Sequence, residues 1–153
     1  MSRIFPLPPC LADRCSQEDY THWLYGKAAA HVKRDKKRGN LVCSRDSYRR
    51  AIHAAVAAGG DRDAFTGEAL SWDLIRTYDN TDSKAGRREY KKRFALLPTV
   101  DHLDDGLSHP KFAICGWRTN DCKGDLSIKE LADFCRVFLS YQKEPNPKDR
   151  FGR

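Results

Sequence analysis

Apolar residues recur three or four positions apart in the first third of the chain. The members of this stripe are Tyr20, Trp23, Leu24, Ala28, His31 and Val32. Such spacing places side chains on one face of an α-helix. Ser16 and Asp19 precede the stripe in the order of a helix capping box, and Gly39 and Asn40 follow it as stop signals. The pattern therefore predicts a first helix that begins near Ser16 and ends before Gly39.

A second helix is predicted from Ser44 or Ser47 to Ala58, because Tyr48, Ile52, Ala55 and Val56 again repeat at helical spacing. The pair Gly59-Gly60 ends it. Two helices joined by a short turn are also the layout of a helix-turn-helix, which is typical of DNA-binding regulators.

The pattern changes after residue 60. Residues 63–67 are typical of a turn and residues 78–86 of a polar loop. Residues 94–100 predict a buried strand that ends in Asp101 and His102, and residues 111–117 predict its return strand, with a loop between them. A polar stretch at 118–123 is long enough for one or two helical turns, and Ser127 and Glu130 form the capping box of a last helix. The fold class is therefore α+β, with a hairpin-plus-helix core between N-terminal and C-terminal helices.

The chain carries a formal net charge of +7, which favours a polyanionic partner such as DNA. Two runs concentrate the positive charge, at residues 33–38 and 87–93. From the first run we select Lys36, Lys37 and Arg38 as the first basic cluster. From the second run we select Arg88, Lys91 and Arg93 as the second basic cluster. Both are predicted to bind the phosphate backbone of DNA.

We expect no membrane partner and a cytoplasmic location. No apolar stretch approaches the roughly 20 residues of a membrane span. Pro6, Pro8 and Pro9 interrupt the only place where a signal peptide could form. The six cysteines contain no C-x-x-C pair, so a structural Zn²⁺ site is not expected either. The sequence leaves the oligomeric state open.

The strand that ends in Val100-Asp101-His102, the return strand and then Asn120-Asp121-Cys122-Lys123 together resemble the HNH endonuclease family, also called ββα-metal nucleases. The resemblance covers about residues 64 to 135. It implies a DNA endonuclease in which His102 is the general base and Asp101 and Asn120 bind Mg²⁺ or Mn²⁺. Lys123 would face the phosphate.

Together with the change of composition after residue 60 and the polar tail from residue 144, the resemblance predicts a division of the chain. Residues 1–60 would be a basic helical extension packed on the core, residues 61–143 the nuclease core, and residues 144–153 a frayed tail. The family usually has a middle asparagine that orients the base, and this chain has Lys111 near that place with His109 close by. His109 could orient His102, bind phosphate, or be an ordinary loop histidine, and Lys111 shares the first two alternatives.

Two other functions stay open. The first is a DNA-binding protein without catalysis, either a helix-turn-helix regulator or a nuclease-like fold that has lost turnover. The second is a protein-interaction module whose basic faces bind an acidic partner. His22, His31 and His53 lie within the predicted helices, so we expect structural roles for them rather than ligand roles.

Overall fold

The computed structural model describes residues 5–143, and the predicted frayed tail at 144–153 lies outside this range. The described residues form an α+β structure of five α-helices and one two-stranded antiparallel sheet. In chain order the elements are α1 (Gln17–Lys37), α2 (Arg45–Ala57), α3 (Asn80–Arg93), β1 (Pro98–His102), β2 (Phe112–Gly116), α4 (Trp117–Lys123) and α5 (Ile128–Lys143), with short 3-10 turns at Pro9–Leu11 and Trp72–Leu74. The chain divides into two compact units, one that ends at Asn120 and one that begins at Asp121.

The two predicted N-terminal helices are confirmed as α1 and α2. Ser16 caps α1, because its Oγ accepts a hydrogen bond of 3.0 Å from the backbone amide of Asp19. Ser44 caps α2 in a reciprocal capping box with Ser47. Each cap satisfies backbone amides that the first helical turn cannot pair internally. The local signals in the sequence therefore fix where both helices begin.

The prediction of a polar loop at 78–86 is wrong for most of its length, because α3 begins at Asn80. Asp79 caps this helix by accepting bonds from the amides of Thr81 at 2.7 Å and Asp82 at 3.0 Å. The helix is broken at Arg87, whose φ of 46° and ψ of −123° are not helical. None of the side chains of α3 is buried. The helix therefore lacks the apolar stripe that periodicity detects.

The predicted β-hairpin is confirmed, although its first strand is shorter than expected. β1 begins at Pro98 rather than residue 94, and its register with β2 runs from Pro98 opposite Gly116 to His102 opposite Phe112. Residues 94–97 turn instead of extending, and their carbonyls accept bonds from the start of α4. Trp117 N donates to Leu97 O, and Arg118 N donates to Ala95 O, both at 2.9 Å. This turn therefore anchors α4 to the end of the hairpin.

The predicted turn at residues 63–67 is confirmed, and Asp63 connects it to the junction of β2 and α4. The carboxylate is buried and accepts a bond of 2.7 Å from Gly116 N, together with bonds from the amides of Phe65 and Thr66. Burial disfavours the charged form of Asp63, but these backbone hydrogen bonds lower its pKa overall. Asp63 thus helps to position the short helix that follows the hairpin.

The core of the first unit lies between α1, α2 and the inner face of the hairpin. Its buried members include Tyr20, Trp23, Leu24, Tyr48, Ile52, Val56, Trp72, Val100, Phe112 and Ile114. Trp23 donates from Nε1 to the carbonyl of Pro98 at 3.2 Å, which bonds α1 directly to β1. The indole rings of Trp23 and Trp72 meet edge to face with centroids 4.7 Å apart. The N-terminal helices are thus an integral part of the fold that carries the hairpin.

The last helix begins as predicted. Ser127 and Glu130 form the expected capping box, with bonds of 2.8 Å from Ser127 N to Glu130 Oε2 and 3.2 Å from Glu130 N to Ser127 Oγ. Among residues 5–143, no helix combines the length and the apolar character that crossing a membrane requires.

Candidate functional site

His102 is the last residue of β1, and it lies against α1 rather than in open solvent. Its Nε2 is 2.7 Å from Oδ2 of Asp35, and its Nδ1 is hydrogen-bonded to Nη2 of Arg34. The side chain of Asp35 is fully buried and that of His102 is 9% exposed, whereas that of Arg34 is 44% exposed. The structure therefore brings a predicted site residue together with two consecutive residues of α1 that the sequence analysis did not select.

The carboxylate of Asp35 is fixed from three sides. Oδ2 accepts a second hydrogen bond from the hydroxyl of Tyr48. Gly106 packs against Oδ1, since a Cβ added to this glycine would lie 3.2 Å from that oxygen. The φ of Gly106 is +71°, a conformation that other residues rarely adopt. A side chain at position 106 would therefore disturb both the loop and the carboxylate.

Asp35 is ionised in this environment. Burial disfavours the charged form, but hydrogen bonds from Tyr48 and His102, together with the charge of Arg34, lower its pKa overall. The pKa of Tyr48 is raised by burial first and by its bond to Asp35 second, so the phenol keeps its proton and donates. The carboxylate is consequently an acceptor only.

Arg34 links two imidazoles. Its Nη2 donates to Nδ1 of His31 at 2.8 Å as well as to Nδ1 of His102. Burial lowers the pKa of His31 to about 3, and the charges of Arg34 and Lys27 act in the same direction, against the weaker effect of Asp35. His31 is therefore neutral near pH 7, as its role as an acceptor requires.

The hydrogen-bond pattern defines the tautomer of His102. A guanidinium has only donors, so the Nδ1 atom that faces Arg34 must be unprotonated. An ionised carboxylate has only acceptors, so the Nε2 atom that faces Asp35 must carry the proton. The pattern thus places the hydrogen of His102 on Nε2 and makes Nδ1 an acceptor. Three rings surround the imidazole, with centroid distances of 4.8 Å to Phe112, 4.9 Å to His31 and 6.5 Å to Tyr48.

Asn40 anchors the loop that follows His102. This buried amide donates from Nδ2 to the carbonyls of Gly106 at 2.8 Å and Ser108 at 3.1 Å. Its Oδ1 accepts from the amides of Val42 and Cys43, each at 2.9 Å. Asn40 therefore joins the turn between α1 and α2 to the loop 103–111 and holds Gly106 against Asp35.

The two predicted metal ligands lie in different elements of the first unit. Asp101 is a buried residue of β1 opposite Ala113, and Asn120 is a half-buried residue of α4, a helix that begins beside Pro98. Within residues 5–143, no group of three or more histidine, cysteine, aspartate or glutamate side chains is arranged to hold a metal ion. A carboxylate and an amide carbonyl are hard oxygen ligands. They fit a magnesium-type cation that keeps several waters.

The other predicted site residues fall into three places. Both basic clusters are exposed, the first in the last turn of α1 and just after it, the second in the later half of α3. His109 and Lys111 are exposed in the loop 103–111. Lys123 is buried at the end of α4 and belongs to the second unit. The side chains that hydrogen-bond to His102 are thus those of Asp35 and Arg34.

One signal in the sequence could have identified Asp35. It continues the spacing of Ala28, His31 and Val32, so helical periodicity places it on the buried face of α1. An acidic residue in such a position needs a partner. His31, which we expected to be structural, lies on the same stripe and in the same cluster.

No family model, no curated protein and no solved structure matches the chain.

Proposed function

We propose that this chain is a divalent-metal-dependent endonuclease that hydrolyses phosphodiester bonds in DNA. The observation that carries the proposal is the arrangement at His102. One ring nitrogen is bound to a buried carboxylate, and the other is directed at a guanidinium that is half exposed. A general base needs a neutral imidazole held in one orientation, and a phosphate needs a cation beside that base.

In this proposal His102 takes a proton from the water that attacks phosphorus. Nδ1 is the nitrogen available for this step, because Nε2–H is committed to Asp35. Once protonated, the ring is a cation against the Asp35 carboxylate, which stabilises it. Asp101 and Asn120 would hold a magnesium or manganese ion, which would supply stabilisation of negative charge on the phosphoryl oxygens.

The two basic clusters would bind the DNA backbone. The first cluster follows Arg34 and Asp35 in the sequence, in the last turn of α1 and just after it. The second cluster precedes the turn that leads into β1. Contacts of exposed Lys and Arg side chains to phosphate give affinity without sequence selectivity.

A DNA-binding protein without catalysis is the second candidate, and one observation favours it. Both ring nitrogens of His102 are already hydrogen-bonded, as they would be in a buried histidine with a purely structural role. The two candidates agree on DNA binding and differ only in turnover.

Incubating supercoiled plasmid with the purified protein in Mg²⁺, Mn²⁺ or EDTA separates them. A nuclease should nick the plasmid with either ion and not in EDTA. His102→Ala should abolish nicking and retain DNA binding in a gel shift, because a general base contributes little to phosphate affinity. His22→Ala, an exposed histidine of α1, is the matched control and should cut normally. DNA binding without nicking under every metal condition would establish the second candidate and overturn the first.

A further inference from the structure

We infer that Asp35 is a positioning residue that holds His102 with its proton on Nε2 and so presents Nδ1 as the nitrogen that accepts the proton of water. The catalytic part of this inference rests on the proposed nuclease function. The tautomer itself does not, because it follows from the hydrogen bonds of the free protein.

The carboxylate of Asp35 cannot move away from the imidazole of His102. Oδ2 is shared between His102 and the hydroxyl of Tyr48, and Gly106 closes the side of Oδ1. Gly106 is itself held by the bond from Asn40 to its carbonyl. The acceptor for Nε2–H is therefore built into the junction of α1, α2 and the loop 103–111.

Arg34, on the opposite side of the ring, selects the same tautomer. Nη2 of Arg34 donates to Nδ1, which excludes a proton there. Two groups of opposite charge thus act on opposite edges of one ring. A residue that only filled space at position 35 would not impose this polarity, so the carboxylate has a specific effect on His102.

Arg34 covers Nδ1 of His102 in the free protein. Its contact with Asp35 is a long ion pair of 3.4 Å between Nε and Oδ1, and its side chain is 44% exposed. A phosphodiester offers charged oxygens that match the guanidinium, so it competes for these donors. When Arg34 turns to the phosphate, Nδ1 is left uncovered beside the group to be cleaved.

The step then balances in atoms and charge. A proton of the attacking water passes to Nδ1, the remaining hydroxide oxygen forms a bond to phosphorus, and the bond from phosphorus to the leaving ester oxygen breaks. That oxygen takes a proton from solvent water. His102 returns its proton to solvent, and the Asp35 carboxylate stays ionised throughout.

The tautomer is tested first, without reference to activity. Long-range proton–nitrogen correlation spectra of ¹⁵N-labelled wild-type protein near pH 7 should show His102 protonated on Nε2 and bare on Nδ1. The His102→Gln variant identifies its signals among those of the other histidines. A His102 with its proton on Nδ1 would overturn the inference, and this measurement needs no change at position 35.

The catalytic role is tested with Asp35→Asn, which keeps the shape of the side chain and removes its charge. We expect kcat for plasmid nicking to fall by roughly 100-fold or more, with KM for DNA within about threefold of wild type. Gln17→Ala is the matched control, because Gln17 is a half-buried side chain of the same unit that hydrogen-bonds the backbone of Phe5 and Leu7. It should lose stability and keep its kcat.

The outcomes separate this inference from the proposed function. Wild-type kcat in Asp35→Asn would overturn the positioning role. An equal loss of kcat in Gln17→Ala would reduce the effect to general destabilisation and would also overturn it. If wild-type His102 shows the Nε2–H tautomer but the protein does not cut DNA with either Mg²⁺ or Mn²⁺, the nuclease function is overturned and the assigned tautomer remains.

Discussion

His31 and His102 share one hydrogen-bond donor, Nη2 of Arg34, and their ring centroids are 4.9 Å apart. The shared donor requires an unprotonated Nδ1 on both rings. Protonation of His31 would place a second cation against the guanidinium at a buried position. The stability of the fold should therefore depend on keeping His31 neutral.

The first prediction follows from the pKa of His31, which burial and the neighbouring charges lower from 6.5 to about 3. Above pH 6.5 the residue is neutral in both the folded and the unfolded state. As the pH falls below 6.5, only the unfolded state gains the proton, so the free energy of unfolding decreases until the pH nears 3. One such group contributes a slope of about 1.4 kcal/mol per pH unit. Urea unfolding at pH 7.0, 5.5 and 4.5 measures it.

The variant His31→Gln isolates this contribution, because Gln can still accept a bond from Arg34 and does not titrate. The slope between pH 6.5 and 4.5 should become smaller by up to that amount. His22→Gln on the same helix is the control, since an exposed side chain has similar surroundings in the folded and unfolded states. Identical slopes in His31→Gln and wild type would show that His31 does not resist protonation in the fold.

The second prediction concerns Asn40, whose amide makes four hydrogen bonds to backbone groups in the junction beside the candidate site. Asn40→Ala leaves these partners unpaired, among them groups of the buried residues Gly106 and Cys43, so the free energy of unfolding should fall by about 2 to 4 kcal/mol. Amide hydrogen exchange should accelerate in the loop 103–111 more than in α2. Asn80→Ala, an exposed position at the start of α3, should change stability by less than about 0.5 kcal/mol. Unchanged exchange in the loop would show that Asn40 does not anchor it.

The helix starts and the hairpin could be predicted because each has a local signal. Ser16 and Ser44 satisfy amides only a few residues away, and the two strands alternate with a recognisable loop between them. α3 has a capping residue, Asp79, but it buries no side chain and so has no apolar stripe. Periodicity detects a helix through the face that it buries, so an exposed helix escapes it.

The site was predictable only in part for a different reason. His102 stood out by its position at the end of a strand, but Asp35 lies 67 residues earlier in the chain, and no local pattern encodes a contact over that separation. Asp35 also stands in a run of charged residues, which favoured a solvated helix end. Its spacing from Val32 and His31 carried the opposite information.

The third prediction tests the metal ligands. Asp101→Ala and Asn120→Ala should each weaken Mn²⁺ binding by at least about tenfold, because a water-rich site of this kind has few protein ligands to lose. Isothermal titration calorimetry on the protein without DNA measures this directly. Asp105→Ala, an exposed carboxylate of the loop 103–111, is the control and should bind as the wild type does. Equal affinities in all three variants would place the ion elsewhere.

The last prediction separates backbone binding from chemistry at the two basic clusters. Changing all three residues of the first cluster to Gln should lower affinity for every duplex alike. The slope of log affinity against log salt should flatten by roughly 0.9 for each lost phosphate contact. The same change in the second cluster should act in the same way, because its side chains are also exposed. Fluorescence anisotropy with two unrelated duplexes at several salt concentrations measures both quantities.

The two clusters should differ in their effect on kcat measured at saturating DNA. Loss of the first cluster should lower kcat as well as affinity, because it lies at the same end of α1 as Arg34, the residue that contacts His102. Loss of the second cluster should lower affinity alone. A matched charge change at Lys129, Arg136 and Lys143 of α5 serves as the control and should alter neither the slope nor kcat. A loss of affinity confined to one duplex would contradict a backbone role, since phosphates carry no sequence information. An unchanged salt slope in both cluster variants would make the clusters solvated faces, and Arg34 would then be the cation beside His102 through which the phosphate must be held.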